Sequence, residues 1–342
     1  MILTRAAFLS STLSAIILTP PDMLHYASNV QNNRLESSSA FADEEIRASL
    51  SLTSRLVREA ATSAVRSDPT LAGPLLRLAF HDAATREDVL YFRGGRGFTG
   101  GPNGSVRYEL DWPENRGLSR PLSAITDVIY EASVAGTFSY PLSFGDAVAL
   151  SGAAAVEAAG GPRIPIRLGR VDASGPDPRN RRVRLRSETD RSEVGTTLPS
   201  PGLDSDGLRL YFASLGLTEE EWVALSGAHD LGRHVTLLGM PKGCLRDLTR
   251  ECLENAPVLL PFVAEGPDHF SNTYYKKLLR WYDREVELGE VAFIPTDVNL
   301  VVDKGLREHV VRFADDRDAF FEVFSRGYQK LVEVGATTLD RY

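Results

Sequence analysis

The stretch LLRLAFHDAAT, residues 75–85, places Arg77 and His81 four apart in an otherwise apolar run. On a helix the two project from one face about one turn apart. An imidazole kept neutral can take a proton and give it back, and a neighbouring guanidinium keeps a fixed charge for stabilising negative charge that develops in a reaction. Taken alone, the pair equally describes a buried histidine with a partner and an arginine that snorkels. A second histidine, His229, lies near the end of EWVALSGAHDLG (221–232), behind Ser226, Gly227 and Ala228, residues small enough to let something large and flat approach the backbone. Asp297 follows a proline in AFIPTDVNLVVD (292–303), a short segment of the kind that can aim a carboxylate inward. A carboxylate that holds one ring nitrogen of a histidine leaves the other to ligate a metal.

The elements that must position these groups read as helices almost throughout. DEEIRASLSLTSRLVREAATSAV, from Asp43, has apolar residues at helical spacing and acidic residues in its first turn, where the helix dipole favours them. Ser143 suits the N-cap of a helix through DAVALSGAAAVEAA, with Gly160 and Gly161 as its stop. Thr218-Glu219-Glu220-Glu221 is a capping-box pattern ahead of a helix expected to end with His229. Two further helices are expected in SNTYYKKLLRWYDRE and DRDAFFEVFSRGYQKLVEVG. Few segments alternate with period two, so little sheet is expected. The arginine-, proline- and serine-rich stretch 174–202 reads as a long solvated loop.

With 342 residues, 43% hydrophobic and 25% charged, the chain can form one big domain or two lobes around a sizeable core. Its 38 Lys and Arg against 46 Asp and Glu give a net charge of −8, which argues against nucleic acid or an anionic membrane surface as partner and favours small molecules. Cys244 and Cys252 are too few for a disulfide scaffold and too isolated for a zinc site; they form one disulfide or stay thiols according to compartment. Residues 1–42 read as a targeting leader: an apolar run after Arg5 too short for a comfortable membrane span, a polar tract, then Ala40-Phe41-Ala42 before the acidic Asp43-Glu44-Glu45. The alternative is a tail retained in the mature chain.

One histidine with an arginine on its own face, another flanked by small residues, and an aspartate free to hold it together suggest a haem iron between two lobes. These segments resemble the haem peroxidases of plants, fungi and bacteria, most nearly the intracellular class that includes ascorbate and cytochrome c peroxidases. GGPNGSVRYELDWPENRGL is similar to the ascorbate peroxidase-related branch. The resemblance covers residues 47–336, with its motifs in the family's order. It implies an all-α, two-lobed fold of about ten helices with very little β, and haem b between a distal lobe (43–173) and a proximal lobe (203–342).

The resemblance also assigns roles. His81 is the distal acid and base, Arg77 the stabiliser of charge as the O–O bond breaks, and Asn115 the acceptor of the other His81 N–H, with the Glu109 carboxylate in the same network. His229 is the axial ligand and Asp297 its carboxylate partner. Phe80 stacks over the distal haem face, and Pro165 and Arg170 line and support the pocket. Phe262 takes the place of the tryptophan that can hold a radical in the intracellular class, while Trp281 belongs to the core. A cation site, calcium or another ion, is half present in Asp82, Gly101, Asn103 and Ser105, with Asn where the secreted classes have Asp. Asp230 and Ser271 look like exchanged partners on the proximal side.

The residues that bind ascorbate in that branch are replaced by Leu238 and Pro69, so ascorbate does not follow as the reductant. The expected activity is reduction of hydrogen peroxide to water with electrons from a small reductant, in detoxification under oxidative stress. The rival is a catalytically weak or inactive peroxidase-like structural protein. No nucleic acid, no stable membrane insertion, a monomer or weak dimer, and a plastid location, in the thylakoid lumen or else secreted, complete the expectation.

Overall fold

A computed structural model of the chain describes residues 51–90, 96–134, 142–178, 198–199, 202–235, 259–287 and 289–336. Ten α-helices lie among the described residues: α1 over 51–67, α2 Ala72–Ala83, α3 Ser119–Val134, α4 Phe144–Ala158, α5 Ser205–Ser214, α6 Glu219–Ser226, α7 Thr273–Tyr282, α8 Pro295–Val302, α9 Lys304–Asp315 and α10 Arg317–Glu333. Two antiparallel pairs supply the sheet. Strand β1 (Glu87–Leu90) runs against β2 (Arg96–Thr99) with Glu87 opposite Thr99, and β3 (Arg233–Val235) against β4 (Leu259–Pro261) with Arg233 opposite Pro261. The architecture is therefore the all-α one expected, and Ser49–Tyr342 segregates as one compact unit.

Local chemistry sets the helix starts. The Ser143 hydroxyl accepts from the Asp146 N–H at 3.0 Å and opens α4, and Thr218 and Glu221 cap each other at α6. Helix α4 is rich in alanine and is almost entirely buried from Gly145 to Val156, because small side chains let α2 lie directly along it. Helix α10 packs across α6 and α2, anchored by the Tyr328 hydroxyl donating to the Ala149 carbonyl at 2.9 Å. Beyond it Phe270, Phe313, Phe320 and Phe324 form a fully buried aromatic cluster between α9 and α10.

Two sequence expectations change. Helix α6 stops at Ser226, so His229 rides on a separate 3₁₀ turn, Gly227–Asp230, rather than ending the helix. The stretch 174–202 is not wholly a solvated loop: Asp177 is buried, accepting from Thr85 Oγ1 at 2.7 Å and from Asn103 Nδ2 at 2.9 Å. The leader 1–42, Cys244, Cys252 and Leu238 lie outside the described residues. None of the helices among the described residues is long and apolar enough to cross a membrane.

Candidate active site

Helix α2 carries Arg77 and, one turn further on, Phe80 and His81. Asn115, buried on the 3₁₀ turn Pro113–Asn115, meets His81 Nδ1 through Oδ1 at 2.6 Å. The Asn115 amide is oriented by its other end, because Nδ2 donates to the Glu109 main-chain carbonyl at 3.0 Å. Oδ1 can only accept, so Nδ1 carries the proton and Nε2 is left as a base. Burial, and then the charge of Arg77, push the His81 imidazolium well below its usual pKa against the opposing Asn115 bond, which keeps the ring neutral.

The Arg77 guanidinium donates to the carbonyls of Arg116 and Glu114, both at 2.7 Å. Burial, with repulsion from Arg116, lowers its pKa to about 10, which still leaves it charged at neutral pH. By surface area Arg77 is exposed. Phe80 stands edge-on to His81, with ring centroids 5.9 Å apart.

The Glu109 role differs from expectation. Its main-chain carbonyl, not its carboxylate, meets Asn115; carboxylate Oε1 accepts the Asp177 N–H at 2.8 Å. Carboxylate Oε2 and the Ser105 hydroxyl are buried close to one another. Burial raises Glu109 to about 7, and burial likewise raises Asp82 to about 7 despite the N–H groups of Gly104 and Val106 on its carboxylate. Of the remaining residues read as a half cation site, Asn103 Oδ1 accepts the Ser105 N–H at 2.9 Å and the Gly101 N–H donates to Thr85 Oγ1 at 3.0 Å. No group of three or more metal-holding side chains occurs among the described residues.

Across from α2, His229 Nδ1 lies 2.7 Å from Asp297 Oδ1. A carboxylate only accepts, so Nδ1 carries the proton and Nε2 offers a lone pair to a metal ion or to the metal of a cofactor. Asp297 is 1% exposed and set by α8, whose Ile294 N–H reaches Oδ2 at 2.9 Å. Phe262 lies flat on His229, with centroids 4.0 Å apart and planes 6° from parallel. One position departs from expectation. The small residues before His229 do not all open towards a ligand, since a Cβ on Gly227 would strike Phe320 and Tyr275 at 2.6 and 2.7 Å, so that glycine faces the core. Arg170 is fully buried and ties Asp146 to the Val332 carbonyl, while Pro165 is exposed. Trp281, partly buried and edge-on to Phe293, packs against the core as expected. Asp230 and Ser271 do pair, by ordinary hydrogen bonds of 2.7 and 2.9 Å.

Sequence reasoning missed three residues. Tyr274 donates its hydroxyl to Asp297 Oδ1 at 2.6 Å, and nothing local separates it from its neighbour Tyr275. Asp177 lay in the stretch read as a loop. Gly73 lets α2 rest on the turn that follows His229: a Cβ there would stand 2.2 Å from the Leu231 carbonyl oxygen.

The described residues thus form a mainly helical scaffold that holds one histidine neutral beside an arginine and ties another to a buried carboxylate. The chain belongs to the peroxidase family, whose model matches residues 57–316. It is 34% identical over 267 residues to "Putative L-ascorbate peroxidase 6" of Arabidopsis thaliana, covering 78% of this chain and 64% of that protein. It is 32% identical over 289 residues to "Putative heme-binding peroxidase" of Mycosarcoma maydis (78% and 74%) and 31% identical over 269 residues to "Probable L-ascorbate peroxidase 7, chloroplastic" of Oryza sativa subsp. japonica (77% and 66%). The chain thus spans just under two thirds of the length of the first and third of these relatives.

Proposed function

We propose that the protein is a haem b peroxidase that reduces hydrogen peroxide to water with electrons from a small reductant. The observation that carries the reading is the pairing of the neutral His81, backed by Asn115 and Arg77, with His229 anchored on Asp297. The donor set fits haem: an imidazole whose Nδ1 is tied to a carboxylate leaves its other nitrogen free to ligate iron, and the His81 side offers a base and a fixed cation. The family and the heme-binding name of the fungal relative support it further.

Haem, when bound, supplies the iron that passes two electrons to peroxide and recovers them from the reductant. The rest falls to the chain. His229 Nε2 holds the iron, with Asp297 keeping the proton on Nδ1. His81 Nε2 takes the proton from the proximal peroxide oxygen and returns it to the departing one, so that water leaves rather than hydroxide. Arg77 stabilises the negative charge on the departing oxygen. Phe80 and Phe262 exclude water on the two sides.

The 43–173 and 203–342 division into distal and proximal lobes belongs to this reading. So does calcium or another cation at Asp82, Gly101, Asn103 and Ser105, which the buried oxygens of Asp82 and Ser105 support. The chloroplastic name of the rice relative and the leader-like N-terminus support a plastid location; the thylakoid lumen within it belongs to the proposal, with secretion as the alternative. A role in oxidative stress and a monomeric or weakly dimeric state complete the proposal. The experiment is a stopped-flow spectrum of the haem-loaded protein mixed with one equivalent of peroxide, for wild type and His81→Leu. Wild type should react within milliseconds, and the variant should bind haem but react several orders of magnitude more slowly; equal rates would sink the assignment of His81.

A further inference from the structure

We propose that Tyr274 is a positioning residue for the axial imidazole: by sharing the carboxylate oxygen that holds His229, it limits how strongly that histidine donates to the metal. The inference rests on the haem reading above. The Tyr274 hydroxyl donates to Asp297 Oδ1 over 2.6 Å, and His229 Nδ1 meets the same oxygen at 2.7 Å. The other oxygen is taken by the Ile294 N–H. Two short bonds on one oxygen divide its negative charge, so each is weaker than it would be alone. A carboxylate that pulls less on Nδ1–H leaves the imidazole less electron-rich, and an iron bound to it is easier to reduce.

The arrangement is rigid. The Tyr274 ring is fully buried, stands edge-on to His229 with centroids 5.9 Å apart, and has its main-chain N–H held by Asp230 Oδ1 at 3.0 Å. Burial, and then the charge of Asp297, hold the phenol well above its ordinary pKa, so it remains a donor at neutral pH. Phe262, on the face of His229, has no polar hydrogen to offer the carboxylate. Tyr275 provides an internal control, because its equally buried hydroxyl donates to the carbonyls of Val223 and Ala224 instead.

The test compares haem-loaded wild type, Tyr274→Phe and Tyr275→Phe. It reads the ferric/ferrous midpoint potential by spectroelectrochemical titration and the iron–histidine stretch of the ferrous protein by resonance Raman. Tyr274→Phe removes a donor and orphans no acceptor, since Asp297 Oδ1 keeps His229. It should lower the midpoint and raise the stretching frequency, while Tyr275→Phe leaves both at the wild-type values. An unchanged or higher midpoint in Tyr274→Phe, or an equal shift in both variants, overturns the proposal. Should the phenylalanine variant not fold, 3-fluorotyrosine placed at position 274, a stronger donor, should raise the midpoint, and a fall overturns it. Wild-type protein with no iron–histidine band would overturn the haem reading and this proposal together, so the two failures are told apart by the wild-type spectrum.

Discussion

Replacing Gly73 by alanine should be far more damaging than a methyl group at a helix start would suggest. In an open helix the change stabilises by up to about 1 kcal/mol, because glycine has more backbone freedom to lose. Here the new Cβ would lie 2.2 Å from the Leu231 carbonyl oxygen and 3.0 Å from its carbon. Both are backbone atoms, so no side chain can rotate away, and relief requires α2 or the 227–231 turn to move by about 1 Å. Overpacking of this kind costs about 1–3 kcal/mol or more, which outweighs the propensity gain. The displacement also has a functional consequence, since α2 carries Arg77 and His81 while Leu231 follows His229 by two residues. A misplacement of about 1 Å between reacting groups can reduce a rate about 100-fold. Urea unfolding and stopped-flow peroxide reaction of Gly73→Ala should therefore show losses of about 2 kcal/mol and at least about tenfold in rate. Gly175→Ala, whose Cβ would meet nothing within 4 Å, is the control and should stay within about 0.5 kcal/mol of wild type. A Gly73→Ala protein as stable and as fast as wild type would refute the close-contact argument.

The acid limb of the peroxide reaction should lie well below pH 6.5 in wild type, because burial and Arg77 keep His81 neutral; Arg77→Leu should slow the reaction about 100-fold and move that limb to higher pH. A limb that stays put or moves lower would remove Arg77 as a cause of the neutral imidazole. Glu109, raised to about 7, binds its proton more tightly folded than unfolded. Its contribution is full below the unfolded carboxyl pKa and is lost as pH rises through about 7, a decline of at most about 3 kcal/mol. Glu109→Gln, unfolded in urea at pH 5 and pH 8 with a chelator present, should show a smaller drop between the two pH values than wild type, and an identical drop would place the titration elsewhere.

Much of the site was legible in the sequence because its chemistry is carried by short local patterns. Arg77 and His81 share a face through helical spacing alone, and the caps at Ser143 and Thr218 declare the starts of α4 and α6 through side chains that bond three residues ahead. His229 and Asp297 stand out by type and by the small or proline residues beside them. What the pattern could not specify is where a polar atom's partner lies when that partner is far along the chain. Asn115 bonds the Glu109 main-chain carbonyl, while one oxygen of the Glu109 carboxylate turns to the N–H of Asp177, 68 residues further on. Tyr274 and Tyr275 are adjacent and alike in sequence, yet helical geometry points them about 100° apart, one hydroxyl to Asp297 and the other to the carbonyls of α6.

The small residues around His229 make the same point. Residue type announced that something approaches closely, but only the packing decided that at Gly227 it is the ring of Phe320, and at Gly73, far away in sequence, the backbone of Leu231. The sequence by itself determined the helices, their caps and the identities of the reactive groups, since these depend on spacing within a few residues. Tertiary structure alone decided the His229–Asp297–Tyr274 arrangement and the burial of Asp177 and Glu109, because these depend on which helix faces meet and on which buried polar atoms are left to share one partner.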